Sequence, residues 1–286
     1  MCMRPKDSPQ ISVIMGVYYR KEDTTPLYRS IRSILLQTNT DFEFLICDDG
    51  STDEAVAQID RLAQQDHRIC PVRPGGKYTL SEKLNVCLQQ VKGTLIARMD
   101  DDDYAHPDRF EKQVSCLSIH PEIDFLGSNV SIWNGNRIVG ERAFPEYPEM
   151  QDFLFRQPFI HPSMMFRRKA LSAVGGYSED PHCDFCEDYD LLLRLYAAGY
   201  RGMNQQEVLL DYTVLETAHN KRKMRYRWNE TVTRYRRFGE LGLLPRNLIY
   251  VIKPLVVGII PEPLLARLRS CSTGCKNGGR ENAVDR

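Results

Sequence analysis

The chain has 286 residues, of which 42% are hydrophobic and 27% charged, a composition typical of a folded globular protein. Lys and Arg together number 38, and so do Asp and Glu, so the charge balance gives no reason to expect a nucleic-acid partner. The first ten residues, MCMRPKDSPQ, contain no apolar stretch of signal-peptide length. We therefore expect a cytoplasmic protein whose nine cysteines are reduced.

The first hundred residues alternate between predicted strands and predicted helices. Short apolar runs predict four strands, at residues 11–17, 42–47, 69–72 and 94–99. Apolar residues at helical spacing predict helices between them, and a polar residue of the turn 48–53 is expected to cap the second helix. The alternation predicts an α/β fold with a mostly parallel central sheet flanked by helices. Sheets of this kind bind ligands beyond the carboxyl ends of their strands.

The second half has a less regular pattern. Residues 125–133 and 137–144 predict a pair of strands that turns at Asn134-Gly135-Asn136. A further strand is predicted at 163–167, and a helix at 189–198 that ends at Gly199.

The C-terminal part combines positive charge with an apolar segment. Lys and Arg are concentrated between Lys221 and Arg246, and residues 247–268 form an apolar run. One lysine and three prolines interrupt this run, so it is too short to span a bilayer. Two interpretations are open: the segment lies on an anionic membrane surface, at the inner face of the cell membrane, or it forms a helix that packs on the domain.

Four consecutive aspartates, Asp100 to Asp103, follow the strand predicted at 94–99. Adjacent carboxylates repel one another, so the cluster is costly unless positive charge stabilises it. Solvated acidic turns rarely follow a buried strand directly, and a calcium loop starting at Asp100 would place Ala105 where the turn needs glycine. A site for Mn²⁺ or Mg²⁺ fits best, because such an ion needs only one or two carboxylates and binds substrate phosphate with its other positions.

Two other ligand sites have weaker support. Residues 74–77 read PGGK, part of a phosphate-loop pattern, but Pro71 stands where the first glycine belongs. A zinc site would need Cys183 and Cys186 together with Cys271 and Cys275, whose spacing is not that of a zinc ribbon, and we expect no zinc.

Seven blocks between residues 10 and 215 resemble the family 2 glycosyltransferases. They are SVIMGVYY (12–19), ILLQT (34–38), FEFLICDDGSTD (42–53), KGTLIARMDDDDYAHPDRF (92–110), HPSMMFRR (161–168), GGYSE (175–179) and CEDYDLLLRL (186–195). The resemblance implies the GT-A fold and an inverting, metal-dependent transfer from a nucleotide sugar, expected to be a UDP-sugar. The implied acceptor is a hydroxyl of a growing surface polysaccharide or of a lipid-linked oligosaccharide.

The resemblance also implies residues that bind the nucleotide and the metal. Tyr18 is expected to pack against the nucleobase and Asp49 to contact it. Asp100 is expected near the ribose or the metal-bound diphosphate, and Asp102 on the metal. His219 matches a downstream position that touches the diphosphate or the metal in some relatives.

On the acceptor side, Asp188 matches the family's catalytic base. Its neighbour Glu187 is the alternative base and is expected to contact the substrate. His161 is expected to hold the acceptor-side wall. Asp101 is expected beside the substrate, with a charge that the family pattern does not explain. Asp103 is expected to cap the helix that follows Pro107.

The resemblance, which extends over residues 10–215, and the composition of the C-terminal part together predict a division of the chain. Residues 1–215 would form the GT-A catalytic domain, with the nucleotide-sugar half at 10–110 and the acceptor half at 111–215. A basic and apolar helical extension would occupy 216–270, and a disordered tail 271–286.

Two rival activities stay open at this point. A sugar nucleotidyltransferase would need a glycine-rich loop after the first strand, where the sequence reads Tyr18-Tyr19-Arg20-Lys21. A catalytically silent nucleotide- or glycan-binding scaffold would not need both the aspartate cluster 100–103 and the Glu187-Asp188 pair. Both acidic motifs are intact, which argues against a scaffold.

Overall fold

The structure is a computed structural model that describes residues 8–214 and 224–260. Several sequence predictions therefore lie outside the described residues: the candidate His219, the Cys271 and Cys275 pair, the start of the basic segment and the tail 271–286.

Nine strands and nine α-helices occur in the described residues. The strands are β1 (Ile11–Val17), β2 (Phe42–Asp48), β3 (Ile69–Val72), β4 (Leu95–Arg98), β5 (Tyr104–Ala105), β6 (Phe125–Trp133), β7 (Ile138–Arg142), β8 (Met165–Arg167) and β9 (Gly202–Thr213). The helices are α1 (Thr25–Leu35), α2 (Asp53–Gln65), α3 (Leu80–Leu88), α4 (Arg109–Ile119), α5 (Met150–Phe155), α6 (Arg168–Ala173), α7 (Glu187–Ala197), α8 (Met224–Glu240) and α9 (Leu248–Ile259).

The strands form one sheet in the order β3-β2-β1-β4-β8-β6-β9-β5, with β7 paired to β6. The first four strands are parallel, as their alternation with helices predicts. Beyond β4 the sheet is mixed, because the short β8 runs antiparallel to both β4 and β6, whereas β6 and β9 are parallel. The carboxyl ends of β1, β2 and β4 therefore meet at one edge of the sheet, where a ligand can bind.

Helices cover both faces of the sheet, and this explains the continuous apolar sequences of β1 and β2. Successive side chains of a strand point to opposite faces. Val13 and Met15 accordingly belong to a core shared with α1, α2 and α4, whereas Ile14 belongs to a second core shared with α3, α6 and α7. The α/β prediction is confirmed.

The turn after β2 is fixed by its own polar groups. The Asp48 carboxylate accepts a hydrogen bond from the Ser51 backbone N–H at 3.3 Å, and Gly50 adopts a left-handed φ of 105°. The predicted cap of the second helix is Thr52, whose hydroxyl accepts from the Ala55 N–H at 3.4 Å. These contacts hold the intervening Asp49 at the edge of the sheet.

Helix α7 begins two residues earlier than predicted, so Glu187 and Asp188 lie in its first turn. Gly199, with φ at 83°, follows its end as predicted. The buried carboxylate of Asp190 accepts from Arg194 and from Arg237, each at 2.7 Å. Because Arg237 belongs to α8, this ion pair joins α7 to the C-terminal extension.

The C-terminal helix α9 packs with one face on the domain and leaves the other exposed. Val251 and Pro254 are buried, and the Tyr250 ring lies 4.9 Å from the Phe155 ring. The exposed side is apolar and carries Ile249, Ile252, Val256 and Ile259. Helix α9 therefore packs on the domain, as the second of the two interpretations of residues 247–268 predicts. Across residues 8–214 and 224–260, none of the helices combines the length and apolarity needed to cross a bilayer.

Candidate active site

Two cavities adjoin at the carboxyl end of β4. The Asp49 cavity, of about 500 Å³, also contains Tyr18 and Asp101. The Asp188 cavity, of about 450 Å³, is formed on the other side by α5, the loop after it and the start of α7. Four residues line both cavities: Leu80, Asp100, Phe185 and Glu187. The structure thus brings together most of the predicted site residues around Asp100.

The Asp49 cavity combines a fixed carboxylate with an exposed aromatic ring. The Asp49 side chain is 2% exposed, forms an ion pair with the Lys83 ammonium and accepts from the Tyr78 backbone N–H. Lys83 also donates to the Val17 carbonyl at 2.7 Å, and its Nζ lies 5.1 Å from the centre of the Tyr18 ring. Tyr18 is 57% exposed. This arrangement can accept an N–H from a planar base while the ring stacks against it.

Sequence reasoning missed Lys83. Its signal is weak, because it is one of several charged residues in α3 and its partner Asp49 lies 34 positions earlier in the chain. The ion pair could be inferred only once α3 was known to pack against the ends of β1 and β2.

A buried arginine stabilises the aspartate cluster from within. Arg98, the last residue of β4, has a side chain that is 1% exposed, and its guanidinium contacts the Asp100 carboxylate and the Met99 carbonyl. Its Nε has no hydrogen-bond partner in the described part of the chain. The signal for this residue was present in the sequence, since an arginine interrupts an apolar strand directly before four carboxylates.

One guanidinium does not balance four carboxylates. Burial, followed by repulsion from neighbouring carboxylates, raises the pKa of Asp101 to about 7 and that of Asp102 to about 6. The same causes raise the pKa of Asp103 well above its usual range. Asp103 accepts from the Thr213 backbone N–H at 2.7 Å, so it fixes the end of β9, and the prediction that it caps α4 is wrong.

The chemistry of this cluster fits a hard divalent cation. Mg²⁺ and Mn²⁺ prefer oxygen ligands, and one or two carboxylates suffice when water and phosphate complete the shell. Asp100 faces both large cavities, whereas Asp102 lines a smaller neighbouring cavity with Arg29 and Trp133. Within the described ranges, no three Asp, Glu, His or Cys side chains converge as a complete set of metal ligands. An ion held by Asp100 and Asp102 would therefore depend on substrate oxygens.

In the Asp188 cavity, the predicted base is oriented by two hydrogen bonds. One Asp188 oxygen accepts from the Tyr189 backbone N–H at 2.7 Å, and the other accepts from the Gln157 amide at 3.0 Å. The N-terminus of α7 adds partial positive charge beside this carboxylate. Burial and the neighbouring Asp188 raise the pKa of Glu187 to about 7. Gln157 had no signal in the sequence, because it contacts Asp188 across 31 positions.

His161 and Phe185 form walls of the site. The His161 ring is buried and its Nε2 lies 2.9 Å from the Tyr177 hydroxyl. Burial and the nearby Arg98 keep the pKa of His161 well below its usual value, so this ring is neutral. Phe185 has a left-handed φ of 65°, which is strained for a side chain of its size, and it lines both cavities two residues before α7.

Known proteins resemble this chain in sequence and in fold. The sequence profile of Glycosyl transferase family 2 matches residues 12–175, and that of Glycosyl transferase family group 2 matches residues 95–268. The putative glycosyltransferase EpsE of Bacillus subtilis (strain 168) is 33% identical over 264 residues, which cover 91% of this chain and 92% of EpsE.

Two further similarities concern named sugar nucleotides. UDP-Gal:alpha-D-GlcNAc-diphosphoundecaprenol beta-1,3-galactosyltransferase of Escherichia coli is 28% identical over 241 residues, covering 80% of this chain and 83% of that protein. The crystal structure of S. aureus TarS 1-349 in complex with UDP-GlcNAc superposes with a TM-score of 0.65 at 17% identity, covering 85% of this chain and 73% of that chain. This last likeness shows a shared fold.

Replacing Glu187 with Gln is expected to stabilise the protein at alkaline pH and to have little effect at acidic pH. Because the pKa of Glu187 is raised to about 7, the folded protein retains a proton that the unfolded chain releases, and stability falls as pH rises through this range. At about pH 8 the substitution should raise the free energy of unfolding by roughly 1 to 2 kcal/mol, a figure reduced for partial exposure.

Urea unfolding at about pH 5 and about pH 8 measures this difference. Glu141→Gln, on the exposed strand β7, is the control and should change neither value. Equal stabilisation by Glu187→Gln at both pH values would contradict a raised pKa.

Proposed function

Because the chain belongs to glycosyl transferase family 2 and has the predicted GT-A fold, we propose that it transfers a sugar, with inversion, from a UDP-sugar to a hydroxyl of a lipid-linked oligosaccharide. The chain is a glycosyltransferase; the identity of the donor, the acceptor and the metal and the stereochemistry are the proposal. The observation that carries it is the meeting of two cavities at Asp100, with Asp49 in one and Asp188 in the other. Family membership argues against the nucleotidyltransferase alternative.

The Asp49 cavity is proposed to bind the nucleotide. A carboxylate held by Lys83 can accept the N–H that uracil presents on its pairing edge, while Tyr18 stacks on the ring. The UDP-sugars named for the E. coli relative and for the TarS complex support a uridine nucleotide.

Asp102 and Asp100 are proposed to hold Mn²⁺ or Mg²⁺ against the diphosphate. When bound, the ion neutralises charge that develops on the leaving UDP. The raised pKa values of Asp101 and Asp102 support this role, because they reflect burial and then repulsion between carboxylates, which Arg98 offsets only in part.

Asp188 is proposed to act as the general base. It takes the proton of the acceptor hydroxyl as that oxygen forms a bond to the anomeric carbon, and the bond from this carbon to the diphosphate oxygen breaks. UDP leaves with the electron pair. Attack from the side of the Asp188 cavity, opposite the leaving group, inverts the configuration. Gln157 and the Tyr189 N–H keep the carboxylate pointed at the acceptor.

The C-terminal extension is proposed to lie on a membrane surface that supplies the lipid-linked acceptor. The exposed face of α9 presents Ile249, Ile252 and Val256 in one stripe, with the exposed Arg246 just before the helix. Apolar residues beside positive charge suit an interface with anionic lipids. The diphosphoundecaprenol acceptor named for the E. coli relative supports a lipid-linked substrate.

Replacing Asp188 with Asn is expected to lower kcat by about a thousandfold while the dissociation constant for UDP changes less than about twofold. The amide keeps the size of the side chain and loses its ability to take a proton. Transfer from a panel of UDP-sugars in Mn²⁺, followed by UDP release, measures kcat, and calorimetry measures UDP binding. Asp60→Asn, an exposed ion-pair residue far from the cavities, is the control. Unchanged turnover in the Asp188 variant would remove this residue from the mechanism.

Replacing Ile249 and Ile252 with Ser is expected to weaken binding to vesicles of mixed neutral and anionic phospholipids by at least about tenfold. Both side chains are exposed, so the fold should be retained. Vesicle sedimentation measures the bound fraction. Ile119→Ser with Ile138→Ser removes two equally exposed isoleucines from other elements and should leave binding intact. If both double variants bind as the original chain does, α9 is not a membrane contact.

A further inference from the structure

Two arginines of the Asp188 cavity are not used by the proposed transfer. Arg142 ends β7 and Arg156 directly follows α5, and both line the cavity and are exposed. The other arginines of this cavity are paired, Arg98 with Asp100 and Arg234 with Glu230 at 3.0 Å. Neither Arg142 nor Arg156 has a carboxylate within ion-pair distance in residues 8–214 and 224–260.

Positive charge accumulates on this side of the cavity. Lys253 of α9 donates to the Phe155 carbonyl, next to Arg156. Burial, then repulsion from Arg234 and Arg156, lowers the pKa of Lys253, and Glu230 opposes this only in part. Lys253 thus adds positive charge close to Arg156, which lines the cavity, and an anion bound there would relieve the repulsion between them.

The surroundings of Arg156 change from polar to apolar toward α9. Phe155 is 59% exposed and its ring packs on Tyr250 at 4.9 Å, and the exposed isoleucines of α9 lie on the same helix as Tyr250. The Asp188 cavity and its surroundings therefore offer a base, two cations and, beside Arg156, apolar side chains. A molecule with a sugar, an anionic link and a lipid has one part for each of these.

We propose that Arg142 and Arg156 bind the diphosphate that joins the acceptor sugar to its lipid. The inference rests on the proposed function, which places the acceptor hydroxyl at Asp188. A diphosphate suits two guanidinium groups because each can bind two phosphate oxygens, whereas a single sugar carboxylate would occupy only one of them.

Binding of octyl diphosphate, measured by calorimetry with saturating UDP in the nucleotide cavity, tests the site without requiring turnover. The double substitution Arg142→Ala with Arg156→Ala is expected to raise the Kd at least about tenfold, and the corresponding double Lys variant to raise it less. Arg137→Ala removes an exposed arginine just before β7 that does not line the cavity, and should bind as the original chain does. Octyl glucoside, which lacks phosphate, should not distinguish the variants.

A glycerol phosphate oligomer is the second probe, because phosphate could also belong to a polymer rather than to a lipid anchor. Tighter binding of octyl diphosphate than of the oligomer supports the proposal. Preference for the oligomer, equal binding of octyl diphosphate by the double Ala variant, or an equal loss of octyl glucoside binding would each overturn it. Hydrolysis of UDP-sugars by the unaltered protein, which needs no acceptor, separately tests the proposed function.

Discussion

The ion pair between the buried Arg98 and Asp100 is the interaction on which the site depends. Four carboxylates at the end of a central strand repel one another and lose hydration, and the adjacent guanidinium offsets part of that cost. A second buried arginine, Arg109, donates to the Arg98 carbonyl at 2.9 Å and to the Met164 carbonyl at 3.2 Å. Burial lowers the pKa of Arg109 to about 9. Together these contacts join the end of β4 to the residue that precedes its antiparallel neighbour β8, so the aspartates that follow β4 have a defined position beside the two cavities.

This placement separates the two tasks that a group transfer requires. Asp49, Lys83 and Tyr18 lie on the side where the parallel strands end, and Asp188 with Gln157 lies on the side formed by α5 and α7. Carboxylates that share one cavity raise each other's pKa, and the placement of Asp49 and Asp188 in different cavities gives each its own environment. Glu187 lines both cavities, and its pKa is raised by burial and by the neighbouring Asp188. Its neighbour Asp188 is oriented by an amide and a backbone N–H, and this orientation is what supports Asp188 as the base.

The sequence predicted the parallel half of the sheet well, because continuous apolar runs such as ISVIMGV and FEFLIC are characteristic of strands covered on both faces. It also located the carboxylates, since each group follows such a strand or begins a helix. It did not reveal Lys83 or Gln157 as partners, because each of these contacts depends on packing between elements rather than on local pattern. Arg98 differs, since it lies two positions before Asp100 and its charge within an apolar strand was a local signal. The mixed half of the sheet was harder to predict for a related reason. Strand β8 has only three residues, and its position depends on its pairing with β4 and β6. Asp103 shows the same limit, since its partner Thr213 lies 110 positions away.

The central claim is that the charge left unbalanced by Arg98 holds a divalent cation together with a nucleotide diphosphate. Calorimetric titration of UDP with and without Mn²⁺, in the original chain and in Asp102→Asn, tests it most directly. We expect Mn²⁺ to tighten UDP binding by at least about tenfold in the original chain and Asp102→Asn to remove most of this gain. UDP binding of equal strength with and without the ion, in both proteins, would contradict it.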